Sequence, residues 1–135
     1  MDQPTLEISQ FVTFLPTADL TQTRYFYEKL SGLPLVLDQG VCHIYQVISS
    51  AFVGFCTECS AVGDRVNADG AIVTFVTSQV DVWYEYFREK GVAIEKKLIL
   101  NKKFNIYHLF VCDPDGYLVE FQTFLDPKWL QIETM

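Results

Sequence analysis

A short pattern repeats at a spacing of 61 residues, and this repeat constrains the fold more than any other feature of the chain. Seven identities fall within 18 consecutive positions: Val12-Thr13-Phe14 with Val73-Thr74-Phe75, Tyr25-Phe26 with Tyr86-Phe87, and Glu28-Lys29 with Glu89-Lys90. Self-similarity at a fixed period indicates a duplicated supersecondary unit. The chain of 135 residues is therefore expected to contain two copies of one unit, each close to half its length.

Each copy predicts the order β-α-β-β-β. Runs of β-branched and aromatic residues predict the strands. Thr17 or Asp19 can cap the first helix and Ser78 the second, and glycines at Gly32 and Gly91 end them. The predicted strands are residues 8–15, 34–38, 41–48 and 51–56 in the first copy, and 71–77, 92–96, 105–112 and 117–123 in the second. A crossover helix followed by hairpins predicts a mixed sheet in each copy.

The two copies are expected to form a single domain over residues 1–135, with one module at residues 7–56 and the other at residues 69–124. A chain of this length favours one domain over two. The stretch between the modules, residues 57–69, is polar and without periodicity, so it is predicted to be a linker. Half of the residues are apolar, which is enough to build a core.

The charge balance argues against two classes of partner. The chain has 10 Lys+Arg against 17 Asp+Glu, a formal charge of −7, whereas nucleic acids and anionic membranes attract clustered basic residues. The first residues lack the basic and apolar segments of a secretory signal, and no apolar run approaches the roughly 20 residues that span a bilayer. These features predict a cytoplasmic protein whose cysteines, Cys42, Cys56, Cys59 and Cys112, are thiols.

Two motifs within this plan are similar to those of a known superfamily. One is the helix end Tyr25-Phe26-Tyr27-Glu28-Lys29-Leu30-Ser31-Gly32-Leu33, and the other is the turn and strand Asp113-Pro114-Asp115-Gly116-Tyr117-Leu118-Val119-Glu120. With the doubled β-α-β-β-β order, they resemble the vicinal-oxygen-chelate superfamily, which includes glyoxalase I, fosfomycin- and bleomycin-resistance proteins and extradiol dioxygenases. The resemblance implies an α+β fold in which two modules form curled mixed sheets around a cavity. It also implies a homodimer.

The resemblance implies an incomplete metal site. Metal-using members take one ligand from the first and the last strand of each module, and the matching positions here are Gln10, Gly54, Ala71 and Glu120. Gly54 and Ala71 have no side-chain donor. A divalent metal held by Gln10 and Glu120 alone would be weakly bound, since such sites need three or four protein ligands. His43 and His108 match no metal-ligand position of the superfamily. The resemblance therefore does not identify a cofactor.

Glu120 and His108 are the candidate catalytic residues. The resemblance places Glu120 in the cavity, and a buried carboxylate needs a partner because an unpaired buried charge is costly. His108 matches a substrate-contacting position of the fosfomycin-resistance members, and histidine carries protons near neutral pH. Strand alternation puts His108 on one face with Phe110, and the tight turn at residues 113–116 makes Glu120 part of the neighbouring strand. The alternative is that both residues are structural.

Further ligand contacts are expected from Gln10 and from four aromatic residues on strands that would line the cavity: Tyr45, Phe55, Tyr107 and Phe110. Packing is the alternative interpretation of these rings. The CxxC at residues 56–59 is a weak zinc or redox signal, because no second pair or suitably spaced histidine accompanies it.

Together these features predict a small-molecule-binding protein of the glyoxalase/bleomycin-resistance type. The alternative is a metal-assisted lyase, isomerase, transferase or dioxygenase of the same superfamily, acting on a small oxygenated substrate. A third interpretation is a structural module whose cavity is filled by side chains.

Overall fold

The computed structural model of the chain describes Pro4, residues 7–58 and residues 66–132. The chain divides into two compact units, Met1–Asn67 and Ala68–Met135. Each unit contains one four-stranded sheet.

The first unit has the strand order β1-β4-β3-β2. Strand β1 runs parallel to β4, and the other neighbours are antiparallel. Helix α1 connects β1 to β2 and continues directly as a π-helix. The bounds are β1 (Phe11–Pro16), α1 (Leu20–Arg24), the π-helix (Tyr25–Leu30), β2 (Leu35–Asp38), β3 (Cys42–Ile48) and β4 (Ala51–Cys56).

The second unit repeats this topology with the strand order β5-β8-β7-β6. Strand β5 is parallel to β8, and the hairpins β6–β7 and β7–β8 are antiparallel. The bounds are β5 (Ile72–Val76), α2 (Val80–Glu89), β6 (Ile94–Asn101), β7 (Ile106–Cys112), β8 (Leu118–Phe124) and α3 (Pro127–Leu130).

Each sheet packs one of its faces on its own helix. In the first unit, the ring of Tyr27 stacks on Phe55 with centroids 4.5 Å apart. In the second unit, Phe121 contacts both Trp83 and Phe87 of α2, with centroids 5.1 Å away in each case. We call the side of a sheet that carries its helix the helix face, and the opposite side the far face.

The duplicated β-α-β-β-β order and the α+β fold class are confirmed. Asp19 caps α1 as predicted, because its carboxylate accepts hydrogen bonds from the backbone N–H groups of Thr21 and Gln22. Ser78 does not cap α2. The cap position is Gln79, whose side chain makes no capping hydrogen bond. Among the helices that the structure describes, none is long and apolar enough to cross a membrane.

The strand positions that are equivalent in the structure are not the ones that the sequence identities align. Phe14 lies opposite Gly54 on the far face, whereas Phe75 lies on the helix face against Phe121. Phe75 pairs with Phe121 in the second sheet, and Leu15 pairs with Phe55 at the equivalent position of the first sheet. Leu15 is therefore the structural counterpart of Phe75, and it lies 60 residues earlier in the chain. The duplication is therefore real, but the identities at a spacing of 61 residues do not join structurally equivalent strand positions.

The prediction that the cysteines are thiols is wrong for one pair, because Cys42 and Cys56 form a disulfide. They face each other across the antiparallel pair β3–β4, with Cα atoms 4.1 Å apart. The two cysteines are 14 residues apart in the sequence. This spacing alone does not show that they lie opposite each other on β3 and β4. Cys112 is a free thiol, and Cys59, the second cysteine of the CxxC, lies outside the described residues.

Candidate functional site

Four polar side chains meet on the far face of the second sheet. Glu120 of β8 lies opposite Thr74 of β5, and Gln122 of β8 lies opposite His108 of β7. The sheet register therefore brings the four residues into a compact block, which we call the polar cluster. Glu120, His108 and Gln122 are each 7% exposed, so most of the cluster is removed from water.

The carboxylate of Glu120 is the centre of the polar cluster and accepts three hydrogen bonds. Its Oε1 atom accepts from the hydroxyl of Thr74 at 2.9 Å and from Nε2 of Gln122 at 3.1 Å. Its Oε2 atom lies 2.6 Å from Nδ1 of His108. A buried carboxylate with this many donors is well satisfied, which offsets the cost of removing it from water.

His108 is held by this carboxylate in one orientation. An ionised carboxylate only accepts hydrogen bonds, so Nδ1 of His108 is the donor and carries a proton. In the neutral imidazole, Nε2 is then a hydrogen-bond acceptor. No described residue makes a hydrogen bond to Nε2, and the ring edge packs against Phe110 with centroids 5.2 Å apart. The pair is therefore an oriented imidazole with one free nitrogen.

Gln122 contributes an unpaired acceptor next to His108. Its amide nitrogen donates to Glu120, which fixes the orientation of the amide. Its carbonyl oxygen, Oε1, is buried and has no hydrogen-bond partner among the described residues. A buried unpaired acceptor costs about 1–3 kcal/mol, and a bound molecule with a suitable donor would remove that cost.

An apolar border surrounds the polar cluster on the same face. Ile72 and Val76 flank it on β5, and Ile99 of β6 lies opposite His108. All three side chains are more than half exposed. Phe110 lies opposite Glu120, and Nζ of Lys96 is 5.9 Å from the centroid of its ring. A few polar groups within an apolar surround are typical of a small-molecule site.

The residues of this face do not fit the metal site implied by the resemblance. The carboxylate of Glu120 already accepts three hydrogen bonds, which leaves about one of its four lone-pair directions for a cation. Gln10 and Ala71 each lie one residue before the strand they were expected to join, and Ala71 has no side-chain donor. In the parts of the chain that the structure describes, no group of three or more His, Cys, Asp or Glu side chains could hold a metal ion.

The remaining ligand position of the resemblance, Gly54, is covered by an aromatic ring. A Cβ atom built on Gly54 would lie 2.5 Å from Cδ1 and 2.6 Å from Cε1 of Phe14. Any side chain at this position therefore requires the ring of Phe14 to move. The far face of the first sheet is apolar where the second sheet carries Glu120.

We expect Gly54→Ala to lower the free energy of unfolding by about 1 kcal/mol, because half-exposed Phe14 must swing away from its contact. Urea denaturation would measure this. In a Phe14→Ala background the same substitution should be neutral or slightly stabilising, since the clash is gone and glycine is unfavourable within a strand. Equal costs in both backgrounds would contradict the contact.

Three of the predicted ligand contacts lie on helix faces instead of the far faces. Tyr45 and Phe55 are fully buried under the helical segment of the first unit, where both contact Tyr27. Tyr107 points to α2 and donates a hydrogen bond to Asp81 at 2.5 Å. Packing and the bond to the helix account for these residues. Because successive side chains of a strand point to opposite faces of the sheet, Tyr107 and its neighbour His108 lie on opposite faces.

Removing the hydroxyl group should change the free energy of unfolding in opposite directions at Tyr107 and at Tyr45. Tyr107→Phe should lower the free energy of unfolding by about 1 kcal/mol, because it removes the hydrogen bond to Asp81. Tyr45→Phe should raise it by a similar amount, because the hydroxyl of Tyr45 is buried and unpaired among the described residues. Urea denaturation of the two variants measures both. The same sign of change in both would contradict these environments.

Alkaline titration provides a separate check on the tyrosines. Burial raises the pKa of Tyr45 to about 12, and the hydrogen bond to Asp81 raises the pKa of Tyr107 to about 12. Since the ordinary value is 10.0, the folded chain keeps these protons to higher pH than the unfolded chain. Their contribution to stability is present below pH 10 and should be lost as the pH rises towards 12. Ultraviolet titration of the phenolate band should show at least two late tyrosines, and their absence would contradict this.

The sequence pattern predicted His108 and Glu120 as site residues but not the other two members of the polar cluster. Thr74 joins it through the parallel pairing of β5 with β8, which links residues far apart in the sequence. Gln122 shares a face with Glu120 by alternation, and this signal was present in the sequence. Gln10 lies in the other unit, exposed and just before β1, and its role as a ligand contact stays a prediction.

Comparison with known proteins supports the fold. The family model described as Glyoxalase/Bleomycin resistance protein/Dioxygenase superfamily matches residues 8–121 of the chain. No curated protein sequence shows a significant match.

Solved structures with different names share this architecture. A lactoylglutathione lyase from Agrobacterium tumefaciens has a TM-score of 0.71 at 20% identity, covering 96% of this chain and 100% of its own. A glyoxalase/bleomycin resistance protein/dioxygenase from Nocardioides has a TM-score of 0.73 at 16% identity, covering 93% and 88%. An integron cassette protein from V. cholerae has a TM-score of 0.69 at 21% identity, covering 90% and 98%. At these identities the likeness is one of fold alone.

Proposed function

Because the chain belongs to the glyoxalase/bleomycin resistance protein/dioxygenase superfamily, we propose that it binds a small organic molecule on the far face of its second sheet. The observation that carries this proposal is the polar cluster, in which a buried imidazole is oriented by a carboxylate within an apolar border. Glu120 is satisfied within the cluster, but the buried Oε1 of Gln122 has no partner among the described residues and costs stability until it is paired. A ligand that donates a hydrogen bond to this atom would remove that cost.

The residues have different roles in this proposal. His108 contacts the ligand through Nε2, and Glu120 is a positioning residue, because its oxygens are taken by Thr74, Gln122 and His108. Phe110 offers a ring next to His108 for an apolar part of the ligand. This assigns Glu120 a different task from direct ligand or metal contact.

A second candidate function is proton-transfer catalysis on a small oxygenated substrate. The observation that favours it is the distance of 2.6 Å between Nδ1 of His108 and Oε2 of Glu120. In such a pair Nε2 can remove a proton from the substrate, and the carboxylate stabilises the imidazolium that forms. A lyase or isomerase that works through a carbanion or alkoxide needs this step.

The test compares two histidine variants. A fragment library titrated against the ¹⁵N-labelled chain should shift backbone signals of β7 and β8, and His108→Asn should weaken the binding of these fragments at least about tenfold. His43→Asn is the matched control. His43 is also buried but lies in the first unit, with Nε2 3.3 Å from Asp38. Unchanged binding by the His108 variant, or no shifts in β7 and β8, would contradict the proposal.

Assembly and location stay predictions. The homodimer follows from the resemblance and the single-domain arrangement of the two modules from the length of the chain, and light scattering at micromolar concentration tests the dimer. The Cys42–Cys56 disulfide is more typical of an oxidising compartment than of the cytoplasm, because reducing compartments keep most thiols unpaired. Cell fractionation would test the predicted cytoplasmic location.

A further inference from the structure

We infer that the ligand of the polar cluster is an uncharged molecule that presents N–H or O–H donors to Nε2 of His108 and Oε1 of Gln122. The inference rests on the proposed binding function and deepens it by naming the ligand chemistry. It comes from counting the donors and acceptors of the cluster.

The carboxylate of Glu120 accepts hydrogen bonds from three of the four donor hydrogens of the cluster. Thr74 supplies one hydroxyl hydrogen, His108 supplies one N–H, and the amide of Gln122 supplies two. The carboxylate accepts from all three side chains. One N–H of Gln122 is left, so the cluster has little to offer a carboxylate, phosphate or other acceptor-rich group.

The free atoms of the cluster are mainly acceptors. Nε2 of His108 has no hydrogen-bond partner among the described residues, and Oε1 of Gln122 is buried and unpaired. These two residues face each other across the antiparallel pair β7–β8, which brings opposed side chains within about 5.5 Å at Cβ. Neighbouring acceptors suit a ligand with two nearby donor hydrogens, as in a primary carboxamide.

The surrounding charges favour an uncharged ligand. With Nε2 of His108 unprotonated, as this inference requires, the carboxylate of Glu120 gives the cluster a negative charge, which disfavours an anionic ligand in a buried setting. The ammonium of Lys96 lies over Phe110 on the same face, which disfavours a cationic one. The side chains of Ile72, Val76 and Ile99 offer apolar contact to the rest of the molecule.

Three matched probes test the donor requirement: benzamide, N,N-dimethylbenzamide and benzoate. They share one ring but carry two donor hydrogens, none, and an anionic acceptor, respectively. Titrations of the ¹⁵N-labelled full chain should show benzamide binding at least about tenfold tighter than either of the others, the loss expected when a buried acceptor stays unpaired. Equal or tighter binding of benzoate or the dimethyl compound would overturn the inference.

Two further measurements make the test specific. Gln122→Met removes Oε1 at nearly constant volume and should remove most of the benzamide preference, whereas Gln46→Met, at a partly exposed glutamine of β3, should not. Retention of the preference in Gln122→Met would overturn the inference. The imidazole ¹⁵N shifts of the unsubstituted chain should show Nε2 without a proton, and a protonated Nε2 would overturn it as well.

The outcomes also separate this inference from the proposed function. Library fragments that bind beside His108 but contain only acceptors would overturn the donor requirement and leave the binding site in place. The absence of any fragment binding at β7 and β8 would overturn both.

Discussion

Replacing Glu120 with leucine should lower the free energy of unfolding by about 3 kcal/mol and abolish ligand binding at His108. The substitution leaves three donors without their acceptor, and two of them belong to side chains that are only 7% exposed. Removing one partner from a buried polar network typically costs this much, because the groups left behind remain dehydrated. Urea denaturation gives the stability, and fragment titration gives the binding.

Two variants control this result. Glu120→Gln keeps one acceptor oxygen and should cost less, about 1 kcal/mol, because one of the three donors loses its acceptor. Glu85→Leu removes an exposed carboxylate from α2 and should change stability by less than about 0.5 kcal/mol. A Glu120→Leu variant as stable as the unsubstituted chain would show that the carboxylate faces water in solution.

Removing the disulfide should have a similarly large effect on the first unit. The double substitution Cys42→Ala/Cys56→Ala is expected to lower the free energy of unfolding by about 3 kcal/mol, because the bridge closes a loop between residues separated by 14 positions. Denaturation with and without a reductant measures this. The reductant should destabilise the unsubstituted chain and leave the double variant unchanged.

The free cysteine of the second unit provides the control for the disulfide. Cys112 is partly exposed, and burial is the main cause that raises the pKa of its thiol. Cys112→Ala should therefore change stability by less than about 1 kcal/mol and leave the effect of the reductant intact. Peptide mapping under non-reducing conditions should join Cys42 to Cys56, and its failure to do so would contradict the pairing.

Local patterns predicted that His108 and Glu120 lie on the same face of neighbouring strands. The turn at residues 113–116 makes β7 and β8 neighbours, and alternation then decides which side chains share a face. The strand β4 was predicted with its observed bounds, residues 51–56. Such features depend on residues close together in the sequence, which is why they could be inferred from it.

Features that depend on distant residues were missed. Thr74 reaches Glu120 only through the parallel pairing of β5 and β8. The disulfide was missed for another reason: it lies within one hairpin, but the register of β3 against β4 shifts between Gln46 and Ile48. Strand β6 extends to Asn101, beyond its predicted end at residue 96, although its sequence lacks an alternating apolar pattern. The π-helix Tyr25–Leu30 follows α1 without a break, and nothing in the predicted helical pattern distinguished it from ordinary α-helix.

In each sheet the last strand along the chain lies between the first and the third strand. This arrangement determines the order in which the strands pair during folding. The β7–β8 hairpin can close locally, but β5 must wait for β8, since Ile72 pairs with Leu118, 46 residues later. Longer loops cost more entropy to close, and nonlocal pairings form slowly. We therefore expect His108 and Glu120 to meet early during folding. The hydroxyl of Thr74 reaches the carboxylate only when β5 docks, so the cluster becomes complete in the slowest step.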